Sequence, residues 1–153
     1  MPYTFVPLRW RDAVAAARWR YEGPYAIYDF EPAALYATAL LQKLLHAVVF
    51  YAVLDERGEL VGIFTFARAR DTIEVGVGMR PDLTGKGLGA AFFAAGLDFA
   101  RRRYHPARFL LNVAAFNERA RRVYARAGFV PIRTFRRRTR AGWLEHIEMQ
   151  RDV

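Results

Sequence analysis

Residues 75–90 read Val-Gly-Val-Gly-Met-Arg-Pro-Asp-Leu-Thr-Gly-Lys-Gly-Leu-Gly-Ala, and their reading decides the fold. A β-rich run ends at Met79 and Pro81 breaks it. Gly85, Gly87 and Gly89 then open a helical pattern expected over 85–104, with Leu88, Phe92, Ala95 and Phe99 on one face. Glycine has no side chain, so a ligand can come close to the amides of this turn. The first amides of a helix lack intrahelical partners and sit at the positive end of its dipole, which suits phosphate. Two common phosphate motifs do not fit. The P-loop needs a glycine at the place of Arg80 and a Ser or Thr at the place of Gly87. The dinucleotide fingerprint needs G-x-G-x-x-G after a first strand, and here G-x-G-x-G follows the fourth.

Working outward toward the N-terminus, 72–79 completes a meander with strands over 47–54 and 59–69, the last two joined by a turn at 55–58. Ahead of them lie a strand over 3–8, an alanine-rich helix over 11–19, a loop over 21–30, and a helix over 32–46 striped by Leu35, Ala39 and Leu45. Toward the C-terminus come a strand over 109–114 and a helix over 117–127, ended by Gly128 as a left-handed cap. A hairpin of strands over 129–137 and 143–149 follows, turning around Ala141 and Gly142. The order β-α-α-β-β-β-α-β-α-β-β predicts an α/β fold: a mixed, mostly antiparallel sheet of about seven strands with helices on both faces. No linker, repeat or low-complexity stretch divides the chain, so one domain over 1–153 is expected.

A second motif lies one strand beyond the glycine-rich helix. Residues 117–129 read Asn-Glu-Arg-Ala-Arg-Arg-Val-Tyr-Ala-Arg-Ala-Gly-Phe, and Ala120, Val123, Tyr124 and Ala127 share one helical face. This segment resembles the N-x-x-A-x-x-x-Y-x-x-x-G-F pattern of the GNAT (GCN5-related) N-acetyltransferases. The turn from Thr84 to Gly89 is similar to their Q/R-x-x-G-x-G/A motif, with Thr84 departing from the usual Gln or Arg. The resemblance runs from Tyr3 to Met149 and implies a sheet splayed between its fourth and fifth strands to admit acetyl-CoA, a co-substrate transferred from without any metal. It implies that Thr84, Gly85, Lys86, Gly87, Leu88, Gly89 and Ala90 hold the pyrophosphate. It further implies that the backbone of Val77, Gly78 and Met79 pairs with the pantetheine arm, that Asn117 binds that arm, and that Tyr124 protonates the leaving thiolate. Some members carry a glutamate on the fifth strand as general base. Asn112 stands there in this chain and cannot act as one, which leaves Glu74 as the candidate.

The residue types fit the demands of such a transfer. A lysine-like amine, with a pKa of about 10.4, must lose its proton before it attacks. The thiolate must gain one, and negative charge on the carbonyl oxygen must be stabilised. In the family, the loop between the first two helices walls the acceptor pocket. Here residues 21–31 hold four aromatic rings, three carboxylates and no basic residue. Glu22, Tyr25, Tyr28 and Asp29 are therefore the candidate acceptor contacts, for a cationic small-molecule or peptide amine. Histidine is the residue type that most readily serves as a base near neutral pH, but none of His46, His105 and His146 lies in a motif; His146 is nearest the expected acceptor side.

Composition bounds the rest. The chain has 153 residues and a net charge of +9, supplied almost wholly by arginine since Lys43 and Lys86 are its two lysines. Such a balance suits a polyanionic cofactor. Arginine triplets at 101–103 and 136–138 invite a nucleic-acid reading as a competing function, but a solvated helix end and a solvated strand account for them, and nucleic acid is not the expected partner. A GNAT-fold module that binds acetyl-CoA without transferring it is the other alternative. With no cysteine, neither disulfides nor thiolate chemistry is open to the chain. The first ten residues do not read as a signal peptide and no apolar run is long enough to span a bilayer, so a cytoplasmic protein without membrane partners is expected. The resemblance also admits a homodimer.

Overall fold

β-branched and aromatic residues in alternation build the strands, and alanine-rich amphipathic runs build the helices that cover them. The computed structural model describes residues 2–153. The strands are β1 (Thr4–Pro7), β2 (Val48–Leu54), β3 (Leu60–Ala69), β4 (Thr72–Met79), β5 (Arg108–Ala114), β6 (Val130–Thr139) and β7 (Gly142–Asp152). The helices are α1 (Trp10–Ala16), α2 (Pro32–Leu44), α3 (Gly89–Tyr104) and α4 (Glu118–Arg126), with 3-10 turns at Gly23–Tyr28 and Pro81–Leu83. Among the described residues the strands form one sheet in the order β1-β2-β3-β4-β5-β7-β6. Every pairing is antiparallel except β4 with β5, whose parallel arrangement requires the crossover that α3 supplies.

Each face of the sheet has its own core. On one, α3 and α4 pack Phe92, Phe93 and Tyr124 against Phe64, Phe66, Phe109 and Leu111. Burial of each such side chain contributes roughly 1.5–3 kcal/mol. On the other, α1 and α2 bring Ala13, Ala16, Trp19 and Leu35 onto Ile63. The start of α1 is fixed by Asp12, which accepts from the Arg9 backbone N–H at 2.9 Å and from its guanidinium at 2.8 and 3.0 Å. Asp12 is almost fully buried, so its charge needs those donors.

Four boundaries differ from the sequence reading. The helix expected over 11–19 ends at Ala16, where tighter Arg18-to-Ala15 and Trp19-to-Ala16 bonds fold Trp19 into the second core. The helix expected to reach 46 ends at Leu44, because His46 adopts a left-handed φ of 54°. Its stripe buries Leu35 and Ala39, but Leu45 is exposed together with Leu41 and Leu44. The glycine-rich helix begins at Gly89 instead of 85, since Gly85 and Gly87 have φ of 71° and 76°, which a right-handed helix cannot contain. The last hairpin is longer, with Thr139 paired to Gly142 across a two-residue turn.

Candidate active site

The parallel pairing of β4 with β5 is short. It joins Thr72 to Arg108, Ile73 to Phe109 and Glu74 to Leu110, and then stops. β4 continues to Met79 and β5 to Ala114 without further pairing between them, so the strands part from Glu74 onward. The backbone N–H and C=O groups of Val75–Met79 that face β5 thus have no ladder partner. Open strand edges of this kind invite another extended chain. Gly76 and Gly78 lie on this stretch and present no side chain to the opening. A Cβ at Gly76 would overlap the Thr65 hydroxyl, so β3 closes that side of the strand.

The glycine turn stands at the mouth of the opening, just past β4. Arg80 anchors it: its N–H donates to Val61 O at 2.8 Å and its guanidinium to Leu60 O at 3.0 Å and Asp82 at 2.6 Å. That guanidinium holds the exposed Asp82 carboxyl below its ordinary range. Thr84 donates its hydroxyl to Pro81 O at 2.7 Å, so it closes the turn from within. The left-handed residues Gly85 and Gly87 follow, and a Cβ at Gly87 would meet open space. Successive amides in such a conformation form an anion-binding concavity. Two cations flank it. Lys86 is exposed and has no ion pair among the described residues. Arg119 of α4 approaches within 3.3 Å of the Cβ position at Gly85, its guanidinium 4.6 Å from the centre of the Tyr25 ring.

The far side of the opening is lined by α4 and the loop before α2. Asn117 caps α4 by accepting from Ala120 N–H at 3.2 Å, and its amide nitrogen lies 3.4 Å from the Tyr28 hydroxyl. Tyr124 is buried against Phe93 and Phe129, with ring centres 4.8 and 6.4 Å away. Burial, and to a smaller extent the nearby Tyr28, raise the Tyr124 pKa well above the usual phenol value. Its hydroxyl makes no hydrogen bond among the described residues. Tyr21 donates to Met79 O at 2.6 Å, and Phe30 touches Gly78. The loop is thus tied to the end of β4 and to the start of α4, and it bridges the opening.

Where the strands part, on the face covered by α1 and α2, lies a cavity of about 290 Å³. Val48, Thr65, Ala67, Glu74, Asn112 and Arg137 are among its lining residues. Asn112 donates from its amide nitrogen to Glu74 at 2.9 Å. The remaining amide oxygen of Asn112 is buried and has no partner among the described residues. His146 is nearly fully buried on β7, with Nδ1 3.1 Å from Leu144 O. A carbonyl only accepts, so that contact places the ring proton on Nδ1.

The sequence profile of the acetyltransferase (GNAT) family matches residues 10–129, from α1 to the end of the second motif. The chain belongs to the GNAT acetyltransferase family. No curated protein sequence matches it. Among solved structures, a chimera of the Vibrio cholerae spermidine N-acetyltransferase superposes with a TM-score of 0.81 at 18% identity, covering 99% of this chain and 96% of the other. The Vibrio cholerae enzyme in complex with CoA and spermine gives 0.77 at 18% identity, covering 99% and 95%. A ribosomal-protein-S5-alanine acetyltransferase from Vibrio fischeri gives 0.72 at 18% identity, covering 99% and 93%. At this identity the likeness is one of fold.

Within this GNAT fold, Val77, Gly78 and Met79 line the parted strands, the segment from Thr84 to Ala90 forms the mouth, and Asn117, Tyr124 and Tyr28 meet on the far side. Glu74 stands beside Asn112, whose amide nitrogen donates to it. The four loop residues expected at the acceptor separate. Tyr28 faces Asn117, Tyr25 packs on Phe116 at 5.5 Å beside the glycine turn, Asp29 accepts from Tyr21 N–H at 2.9 Å, and Glu22 is exposed. None of them lines the cavity. His46 and His105 both sit at helix ends with left-handed backbones. The arginine triplets part company too. Arg101 and Arg102 pair with Asp98 at 2.6 and 3.0 Å at the end of α3, while Arg137 joins the cavity wall. Sequence reasoning missed Tyr21, Arg119 and Arg137. The only signal for Arg119 was its place two residues into the second motif; the other two depend on which way a loop and a hairpin fold back.

Proposed function

We propose that this protein, acting as one domain, is an acetyl-CoA-dependent N-acetyltransferase whose acceptor is a primary amine attacking the thioester directly. The carrying observation is the parting of β4 from β5 after Glu74, with the glycine turn at its mouth and Tyr124 and Asn117 along its far side. The residues present suit the cofactor. The amides around Gly85 and Gly87, with Lys86 and Arg119 beside them, match a pyrophosphate, and the edge of Val77, Gly78 and Met79, apart from the Met79 carbonyl that accepts from Tyr21, matches the amides of a pantetheine arm. The acceptor class agrees with the amine substrates named for the superposing Vibrio cholerae enzymes.

In the proposed reaction the amine nitrogen forms a C–N bond to the acetyl carbon while the C–S bond breaks. Backbone N–H groups of β4 facing the opening stabilise the charge that develops on the carbonyl oxygen. Glu74 takes the proton lost by the amine, and Asn112 orients its carboxylate. Tyr124 gives its proton to the departing sulfur. Its raised pKa guarantees that the proton is present, and a dry site also raises the proton affinity of the thiolate.

Free thiol release from acetyl-CoA with a panel of amines tests this directly. Turnover is expected, and Tyr124→Phe should lower kcat by about tenfold to a hundredfold, at the low end for a positioned acid because a thiolate already leaves readily. The dissociation constant for acetyl-CoA should stay within about twofold, as the phenyl ring keeps its packing. A variant with full kcat would remove Tyr124 from the chemistry.

A further inference from the structure

The charges around the cavity define a narrower acceptor class, an inference that rests on the acetyltransferase reading above. The wall carries one carboxylate, Glu74, and one guanidinium, Arg137. They form no ion pair with each other or with any other described residue, so both are free to meet a ligand. Arg137 leans toward the Phe135 ring, 5.3 Å from its centre, while its neighbour Arg133 is neutralised by Glu148 at 3.1 Å. On the same wall Glu74 accepts from the Asn112 amide nitrogen at 2.9 Å, and its remaining lone pairs are open to an amine.

Three further carboxylates are otherwise engaged, and the exposed Glu22 and Glu145 lie outside the cavity wall. Asp29 accepts from Tyr21 N–H, Glu31 caps α2 through Ala33 and Ala34, and Glu148 is paired with Arg133. A ligand with several positive charges would find a single carboxylate on this wall, and a guanidinium lining the same cavity. We propose that the acceptor is a small amino carboxylate, with its amine held by Glu74, which Asn112 orients, and its carboxylate by Arg137. Thr65 supplies a hydroxyl on the same wall, and Val48 and Ala67 offer apolar contact to the rest of the molecule.

The test uses matched pairs of amines that differ by the carboxylate: leucine with isopentylamine, phenylalanine with phenethylamine, and lysine with cadaverine, together with spermidine. The carboxylated partner should have the higher kcat/KM in each pair, and spermidine should be poor. In Arg137→Gln the preference within each pair should fall roughly tenfold, the scale of one charge-assisted contact at a partly open site. A structural role for Arg137 would lower both partners alike and leave the ratio unmoved, which overturns the proposal. Turnover indifferent to the carboxylate, or favouring spermidine, also overturns it and leaves the acetyltransferase reading standing. Calorimetric titration of the same pairs reads the cavity without turnover. Amino carboxylates that bind in a manner dependent on Arg137, with no thiol release from any amine, would keep them as the cavity's ligands but overturn both their role as acceptors and the transferase reading. Neither binding nor turnover would remove both.

Discussion

Glu74 and Asn112 meet where the strands part, one from each strand, and the proposed reaction has the amine lose its proton there. Of the two, only the carboxylate can take a proton. Glu74→Gln should therefore reduce kcat/KM about a hundredfold or more at pH 7, within the range of a positioned base. The deficit should shrink as the pH approaches that of the free amine, about 10.4 for a lysine-like group, because neutral amine then needs no base. A deficit constant from pH 7 to 10 would make Glu74 a binding residue. Tyr124 imposes the complementary limit. Its pKa is raised by burial, so it stays protonated and should produce no descending limb in the pH profile of kcat/KM below about pH 10.

At the level of elements, the two glycine clusters serve different ends. Gly87 has φ of 76° with nothing within 4 Å of a Cβ, so its requirement is conformational. Gly87→Ala should destabilise the fold by about 1 kcal/mol, roughly 2–4 °C in Tm, from left-handed strain. With the pyrophosphate on this turn, as proposed, the added methyl would crowd it, and KM for acetyl-CoA should rise more than kcat falls. Gly96 is instead a packing glycine. It lies in α3 directly over Phe64 of β3, whose ring a Cβ would overlap. Gly96→Ala should cost roughly 1–3 kcal/mol by overpacking, read as a lower denaturation midpoint with unchanged m-value, while KM for acetyl-CoA in the folded fraction stays near that of the parent. A loss confined to cofactor binding would place Gly96 in the site instead of the core.

For the whole molecule, several phenols are buried in the folded state, and the pKa values of Tyr21, Tyr104 and Tyr124 are all raised, chiefly by burial. Each such group binds its proton more tightly when folded than when unfolded. Stability is then fully present below the unfolded phenol pKa of about 10 and declines as pH rises past it, because the unfolded chain ionises first. Tm should accordingly be insensitive to these groups up to about pH 10 and fall beyond, in step with the tyrosinate absorbance of the unfolding chain. Saturating acetyl-CoA, at a hundred times its dissociation constant, should raise stability by about 2.7 kcal/mol. Among the described residues no helix is long and apolar enough to cross a membrane.

The element order and the two motifs were legible because they rest on local physics. A two-residue period makes a strand, a 3.6-residue period makes a helix, and Gly128 at φ 93° ends α4 as its sequence context implied. The side of α4 bearing Ala120, Val123, Tyr124 and Ala127 meets the core as its spacing required. Boundaries moved where non-local contacts or positive φ values intervened, as at Trp19, His46 and Gly85. The candidate site was legible only in part, because most of its contacts join residues far apart in sequence. Tyr21 reaches Met79, Tyr28 reaches Asn117, and Asn112 reaches Glu74. Arg137 read as one of three equivalent strand arginines until the β6–β7 hairpin folded beside β5 and turned it to the cavity. Sequence by itself determined the family, the order of elements and the glycine turn after β4, since each is written in neighbouring residues. Only the tertiary structure decided which charges face one another across the parted strands, because that depends on register and hairpin placement, which no local pattern encodes.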